Sequence, residues 1–329
     1  MKVFKNILII VILVMMICIL VLIGLEPVVI DALNQENTLV DEDKNIIDLG
    51  VVPKTNSSSV KISNNNVYIN NGGVYEVSGI LYNGTIYIDT KEDVTLNFDE
   101  VTIVNENTSV IDNRKSSKVI INLEEDTNNI FSDGINSQAA IKSVGDIFLE
   151  GSGSMLIYAN NAAGIKTSGG NLVLNGINLY VIAQGSAFDV SKEFLVNSGV
   201  VLGFGNGGMQ ATSNLSKQNT LLFNFTDTLA EGTALSLKNA KDENMINFIG
   251  LRDFKTLTLS LPDLDKGRYF LYQDITCDAR LKNGVYNDCE VSDGEQVKIS
   301  ITDTFLVNDK WNWYGSMDII INYIPEITT

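Results

Sequence analysis

Gly153-Ser154-Met155-Leu156-Ile157-Tyr158, Gly176-Ile177-Asn178-Leu179-Tyr180-Val181 and Gly199-Val200-Val201-Leu202-Gly203-Phe204 are three versions of one phrase, and their glycines stand a constant 23 residues apart. A fixed step of that size marks a solenoid, in which each repeat is one coil stacked on the last. Counted from the glycine, positions +1, +3 and +5 are Ser154/Ile177/Val200, Leu156/Leu179/Leu202 and Tyr158/Val181/Phe204. Alternate residues of a strand share a face, so this set is expected to point inward. The mixed set Met155/Asn178/Val201 and Ile157/Tyr180/Gly203 is expected on a partly exposed outer face.

A second strand precedes each glycine: Ile147-Phe148-Leu149, Leu172-Val173-Leu174 and Phe194-Leu195-Val196. A shorter apolar step lies before that, at Ala140-Ile141, Gly164-Ile165 and Ala187-Phe188. Three brief strands per coil, separated by Gly, Asn and Ser, describe an all-β parallel β-helix of about 23 residues per coil. The LxxLxLxxN pattern of leucine-rich repeats is absent, and so is helical periodicity from Val51 onward. The apolar rhythm extends back to Ile86-Tyr87-Ile88 and forward to Leu221-Leu222-Phe223 and Leu257-Thr258-Leu259, in looser register.

Net charge is −17, with no histidine among 329 residues. That balance argues against nucleic acid, whose phosphates need clustered Lys and Arg. The missing imidazole removes the commonest general base and the usual zinc ligand. The N-terminus carries Lys2 and Lys5, then an apolar run of 19 residues from Ile7 to Leu25. About 20 apolar residues span a bilayer as a helix, and the positive flank keeps that end in the cytoplasm. The expectation is a single-pass anchor over residues 1–25, with the β-helix outside the cell; secretion after signal cleavage is the alternative. Residues 26–66, with Asp41-Glu42-Asp43 and Asn64-Asn65-Asn66, are expected to be a polar spacer, unless Ile46-Ile47-Asp48-Leu49 packs on the first coil. The β-helix is expected over 67–275 and a capping β extension over 276–329. In that extension Cys277 and Cys289 flank the hairpin signal Asn283-Gly284, which makes them a candidate disulfide in an exported protein.

Ala140-Ile141-Lys142-Ser143-Val144-Gly145-Asp146-Ile147-Phe148-Leu149-Glu150-Gly151-Ser152-Gly153-Ser154, and Ala163-Gly164-Ile165-Lys166-Thr167 in the next coil, carry a resemblance. With the opening Gly72-Gly73-Val74-Tyr75-Glu76-Val77-Ser78-Gly79 and the closing Leu261-Pro262-Asp263-Leu264 through Tyr272, the chain resembles bacterial surface carbohydrate-binding β-helix proteins related to family 9 polysaccharide lyases. The resemblance runs from about Asn71 to Asp274. It implies a right-handed, single-stranded parallel β-helix outside the cell that binds cellulose or acidic-sugar polymers. It also implies calcium, held by aspartates in recurring Asp-Asp-Gly-Ile turns. Here the turns read Asn160-Asn161-Ala162-Ala163-Gly164 and Gln184-Gly185-Ser186-Ala187-Phe188, and only Ser132-Asp133-Gly134-Ile135 keeps an acid beside Gly-Ile. Calcium takes six to eight oxygen ligands, so Asp133 alone is the residual metal candidate.

A lyase needs a base beside the uronate carboxylate and positive charge to stabilise the anion that forms. Lys142 and Lys166 occupy equivalent positions in adjacent coils and could act as base or hold a uronate; a solvated lysine ladder is the plainer alternative. Sugar rings also lie on flat apolar side chains. Trp311 and Trp313, two apart, and the outward Tyr180 are the aromatic candidates; the tryptophans could equally cap the solenoid. The expected function is polysaccharide binding without catalysis. A uronate lyase, or an adhesive solenoid with a protein partner, are the alternatives.

Overall fold

The computed structural model describes residues 44–265, 269–273, 281–282, 285–286 and 299–301. The expected membrane helix, the Cys277–Cys289 pair and both tryptophans lie outside them. Among the described residues no helix is long and apolar enough to cross a membrane.

The coils form three walls. The first wall stacks residues 73–78, 94–99, Lys118–Leu123, Asp146–Gly151, 172–175 and 194–198, all parallel. The second stacks residues 80–82, 101–104, Asn128–Ser132, Ser154–Ala159, 178–183 and 200–205. The third, part of a seven-stranded sheet, stacks Asn66–Ile69, Ile86–Ile88, Ile111–Asn113, Ala139–Ser143, Ala163–Thr167 and Phe188–Val190. The parallel β-solenoid of about five turns is therefore present. Its interior is one aliphatic and aromatic core, in which Phe98 and Phe131 meet edge to face at 5.8 Å.

Between the first and second walls every coil turns through a left-handed residue: Gly79, Glu100, Asp126, Gly151, Gly176 and Gly199 all have positive φ. At Gly199 (φ +103°) a Cβ would stand 2.1 Å from the Ile177 carbonyl of the coil below, so glycine is required on two counts. The corner glycine of the Ser154 strand is Gly151, not Gly153, and the corner glycines are 25 and then 23 residues apart. Ser154, Asn178 and Val200 are in register, yet they follow their corner glycines by three, two and one residues.

That slip corrects the inward set. A register shift of one residue exchanges the two faces of a strand. Ile177, Leu179 and Val181 do point into the solenoid core. Ser154, Leu156 and Tyr158 do not, nor do Val200, Leu202 and Phe204; in those coils the inward side chains include Met155, Ile157 and Val201.

The parallel helix also ends earlier than expected. After Gly205 the chain turns antiparallel: Phe254–Ser260 pairs with 201–205, and Leu221–Leu229 pairs with Phe254–Ser260. Ala234–Asn239, Asn244–Ile249 and Tyr269–Gln273 form an antiparallel sheet with short strands at 281–282, 285–286 and 299–301. Leu281–Lys282 and Val285–Tyr286 pair antiparallel around the Asn283-Gly284 signal. This C-terminal layer covers Leu156, Tyr180, Ile182, Leu202 and Phe204 on the outside of the second wall and builds a second core with Phe223, Phe248, Phe254 and Leu257. The other end is closed by part of the expected spacer. Asn45–Leu49 pairs parallel with 75–79 and buries Ile47 and Leu49 completely, while Lys54–Thr55 and Val60–Ser63 add antiparallel strands. Both ends of the stacked sheet are thus capped.

Candidate functional site

The centre of each third-wall triplet points out of the solenoid. The triplets are Val67-Tyr68-Ile69, Ile86-Tyr87-Ile88, Ile111-Asp112-Asn113, Ile141-Lys142-Ser143, Ile165-Lys166-Thr167 and Phe188-Asp189-Val190. Their flanking residues are buried inside, most of them in the apolar core and Asn113, Ser143 and Thr167 as buried polar residues, so the centres are aligned by packing. Register places Tyr68, Tyr87, Asp112, Lys142, Lys166 and Asp189 in one column, with Lys61 beside Tyr68 at its end. Neighbouring strands are about 4.8 Å apart.

The tyrosines stack across the strands, with ring centroids 5.0 Å apart and planes at 22°. The Arg114 guanidinium lies over Tyr87, its carbon 3.6 Å from the ring centroid. Arg114 also reaches Asp112 at 3.4 Å and Asp89 at 3.6 Å, and Lys115 reaches Asp89 at 3.6 Å. Lys142 and Lys166 are in register, as their spacing requires. They do not form an isolated pair of ammonium groups: Lys142 is 3.2 Å from Asp112, and Lys166 is bound to Asp189. Pairs on a partly solvated face such as this one add little stability, about 0–1 kcal/mol each. They hold the column in a defined order of aromatic, aromatic, acid, base, base, acid. The face gathers Lys61, Arg114, Lys115, Lys142 and Lys166 against Asp89, Asp112 and Asp189, in a chain whose net charge is −17. It can therefore offer cations and aromatic edges to an anionic, hydroxylated polymer running along the solenoid axis.

Tyr180 is corrected. It points away from the solenoid as expected, but it is only 3% exposed. Its ring packs against Phe204 at 5.0 Å and its hydroxyl donates to the Ile249 carbonyl of the C-terminal layer. A sugar has no open ring face there.

Asp133 is likewise internal, at 2% exposure. Its carboxylate accepts from Ser137 Oγ and from the Asn160 backbone N–H. The Asn160 side chain donates to the Asp133 carbonyl at 2.7 Å, and Arg252 of the C-terminal layer donates to Asn160 Oδ1 at 2.7 Å and to the Ala159 carbonyl at 2.8 Å. Burial pushes the Asp133 carboxyl above the usual carboxylate range, against the hydrogen bonds from Ser137 and Asn160 and the Arg252 charge. No cluster of three acidic or cysteine side chains suited to a metal occurs among the described residues. The donors around Asp133 do not fit calcium: they are hydrogen-bond partners closing a buried network.

Tyr68, Tyr87 and Arg114 were not singled out in the sequence. Their signal was present in the repeated triplet of aliphatic residue, outward residue and second core-facing residue. It needs the pairing of Ile86 with Ile111 across 25 residues and of Ile111 with Ile141 across 30, which no constant repeat length supplies.

A family model described as "Carbohydrate-binding domain-containing protein" matches residues 63–223, a span that takes in all three walls. The resemblance to carbohydrate-binding proteins is thereby supported. Among solved structures the chain is similar to the polysaccharide lyase-like protein from C. thermocellum, determined as a gadolinium derivative. Identity is 22% and the TM-score 0.43, over 52% of this chain and 71% of that one. No curated protein matches the chain.

Proposed function

We propose that this protein binds polysaccharide on the outer face of the third wall and does not cut it. The observation that carries this reading is the column itself. Core packing brings Tyr68, Tyr87, Asp112, Lys142 and Lys166 from five coils into one line, on the region matched by the carbohydrate-binding family model. The excess of base over acid on that face favours acidic-sugar polymers. The lysine amines are engaged by Asp112 and Asp189, which suits holding a carboxylate more than removing a proton. The apolar run Ile7–Leu25 behind Lys2 and Lys5 supports a membrane anchor with the solenoid outside the cell.

The test is binding of the full chain to polygalacturonate, with Lys142→Ala/Lys166→Ala beside the wild type. Binding that falls tenfold or more in the double variant, with no product absorbing in the ultraviolet, is the expected result. Release of such products would make the protein a lyase, and unchanged binding by the variant would remove the third wall from the reading.

A further inference from the structure

Exposed apolar side chains gather at one end of the solenoid. Among the described residues eight large ones are exposed, and five of them, Val51, Val52, Val74, Ile80 and Tyr82, belong to the N-terminal cap and the first coil. Val51 and Val52 stand furthest out, at 92% and 68% exposure, in the turn between Asn45–Leu49 and Lys54–Thr55. Ile80 and Tyr82 leave the same corner as that turn, because they follow Gly79, which pairs with Leu49.

The same end reverses the charge of the chain. From Lys44 to Asn71 the charged side chains are Lys44, Lys54 and Lys61 against Asp48 alone, a balance of three positive to one negative in a protein of net charge −17. All three lysines are exposed. Lys54 and Lys61 lie on the terminal strands of their sheets, Lys54–Thr55 and Val60–Ser63. A lysine on an edge strand discourages pairing with another chain. Two solvated valines beside it work against that purpose and call for a different explanation.

A valine tip flanked by lysines is complementary to a surface with an apolar interior and anionic headgroups. Apolar side chains pass into the boundary while lysine heads stay among the headgroups. A tyrosine suits the same level, with its ring inward and its hydroxyl in water. Lys44 follows Leu25 by 19 residues, which span at most about 65 Å. With Ile7–Leu25 in a bilayer the cap is confined near that surface, so a weak contact is enough to seat it.

We propose that the N-terminal cap of the solenoid docks on a lipid surface. Val51 and Val52 enter the headgroup boundary, Lys44, Lys54 and Lys61 meet anionic headgroups, and Tyr82 lies at the rim. Docking by this end makes the three walls run away from the bilayer. The proposal rests on the reading of Ile7–Leu25 as an anchor and adds a second, independent membrane contact made by the folded domain.

The experiment mixes the full chain with vesicles of phosphatidylcholine, with or without phosphatidylglycerol. Flotation reports association, and acetylation of individual lysines, read by mass spectrometry, reports what the bilayer shields. The comparison is the wild type against Val51→Asp/Val52→Asp, whose side chains are exposed and leave the core untouched. In vesicles containing phosphatidylglycerol, Lys54 and Lys61 should react about fivefold or more slowly in the wild type than in the variant. Lys192 and Lys241, exposed elsewhere, should react equally in both. A chain that floats with equal Lys54 and Lys61 rates in wild type and variant overturns the docking and leaves the anchor standing. Flotation that requires phosphatidylglycerol and is lost in the variant supports the docking and removes Ile7–Leu25 as an anchor. A chain that floats with neither vesicle overturns both.

Discussion

The outer face of the second wall is one surface with two fates. Over the last three coils its columns are Leu156-Tyr180-Leu202 and Tyr158-Ile182-Phe204, and the C-terminal layer covers them. Over the first three they are Ile80-Thr102-Ile130 and Tyr82-Val104-Ser132, with Ile80 45% and Tyr82 60% exposed. Two small hydroxyl residues, Thr102 and Ser132, enter the columns where the cover stops. A strand buried on both faces becomes continuously apolar, whereas one that meets solvent alternates. The composition of an outward column thus reports whether something lies on it.

The largest contrast is expected from truncating one ring on each half. Phe204 touches Tyr180, Phe248 and Phe254 at ring distances of 4.9–5.9 Å, so Phe204→Ala should cost about 3–5 kcal/mol in urea unfolding. Tyr82→Ala, on the open half, should stay within about 0.5 kcal/mol. Equal effects would show that the two halves are not distinguished by burial.

Next come the corners. The open coils carry Gly79, Glu100 and Asp126 at their corners, so two of the three bear a side chain, where the later coils carry Gly151, Gly176 and Gly199. Gly199→Ala adds left-handed strain to the approach on Ile177, and is expected to cost at least about 1–3 kcal/mol. Glu100→Ala at the equivalent corner should cost less, since a side chain is already accommodated there. Denaturant midpoints of the two variants make the comparison.

At the seam between the halves, Arg252 joins the C-terminal layer to the Ala159–Asn160 turn. Arg252→Ala should cost about 1–3 kcal/mol, because it removes charge-assisted hydrogen bonds, and should raise hydrogen exchange in Phe254–Ser260 before it does so in the third wall. Uniform exchange across both would contradict a local seam.

The smallest effect concerns Asp133. Its folded pKa is raised above the ordinary 3.8, chiefly by burial. Its contribution to stability is therefore fully present below the unfolded pKa and is lost as pH rises through the folded value. Against an Asp133→Asn reference, the wild type should gain melting temperature on acidification across that window. A wild-type curve parallel to the variant would show that Asp133 does not titrate differently in the folded state.

The repeat of Gly, apolar strand and turn was enough to identify a parallel solenoid, because core-facing alternation and polar corners are local properties of each coil. Ile141, Ile165 and Phe188 were recognisable as equivalent core positions for the same reason, and Lys142 and Lys166 followed as outward neighbours. Face assignment in the second wall was not legible from a glycine count. The offset from corner to the register position shrinks from three to one over three coils, and a single residue inverts a strand. Nor did the apolar Leu221-Leu222-Phe223 and Leu257-Thr258-Leu259 announce that they run antiparallel: alternation marks a buried face and is silent on strand direction. The chain alone determined the class of fold, the coil-forming segments and the lysine ladder. Tertiary structure decided which side of each strand is core, that Tyr180 and Asp133 are sealed, and that Tyr68, Tyr87 and Arg114 stand beside the lysines. Those outcomes depend on stacking register and on a covering layer contributed by residues far along the chain.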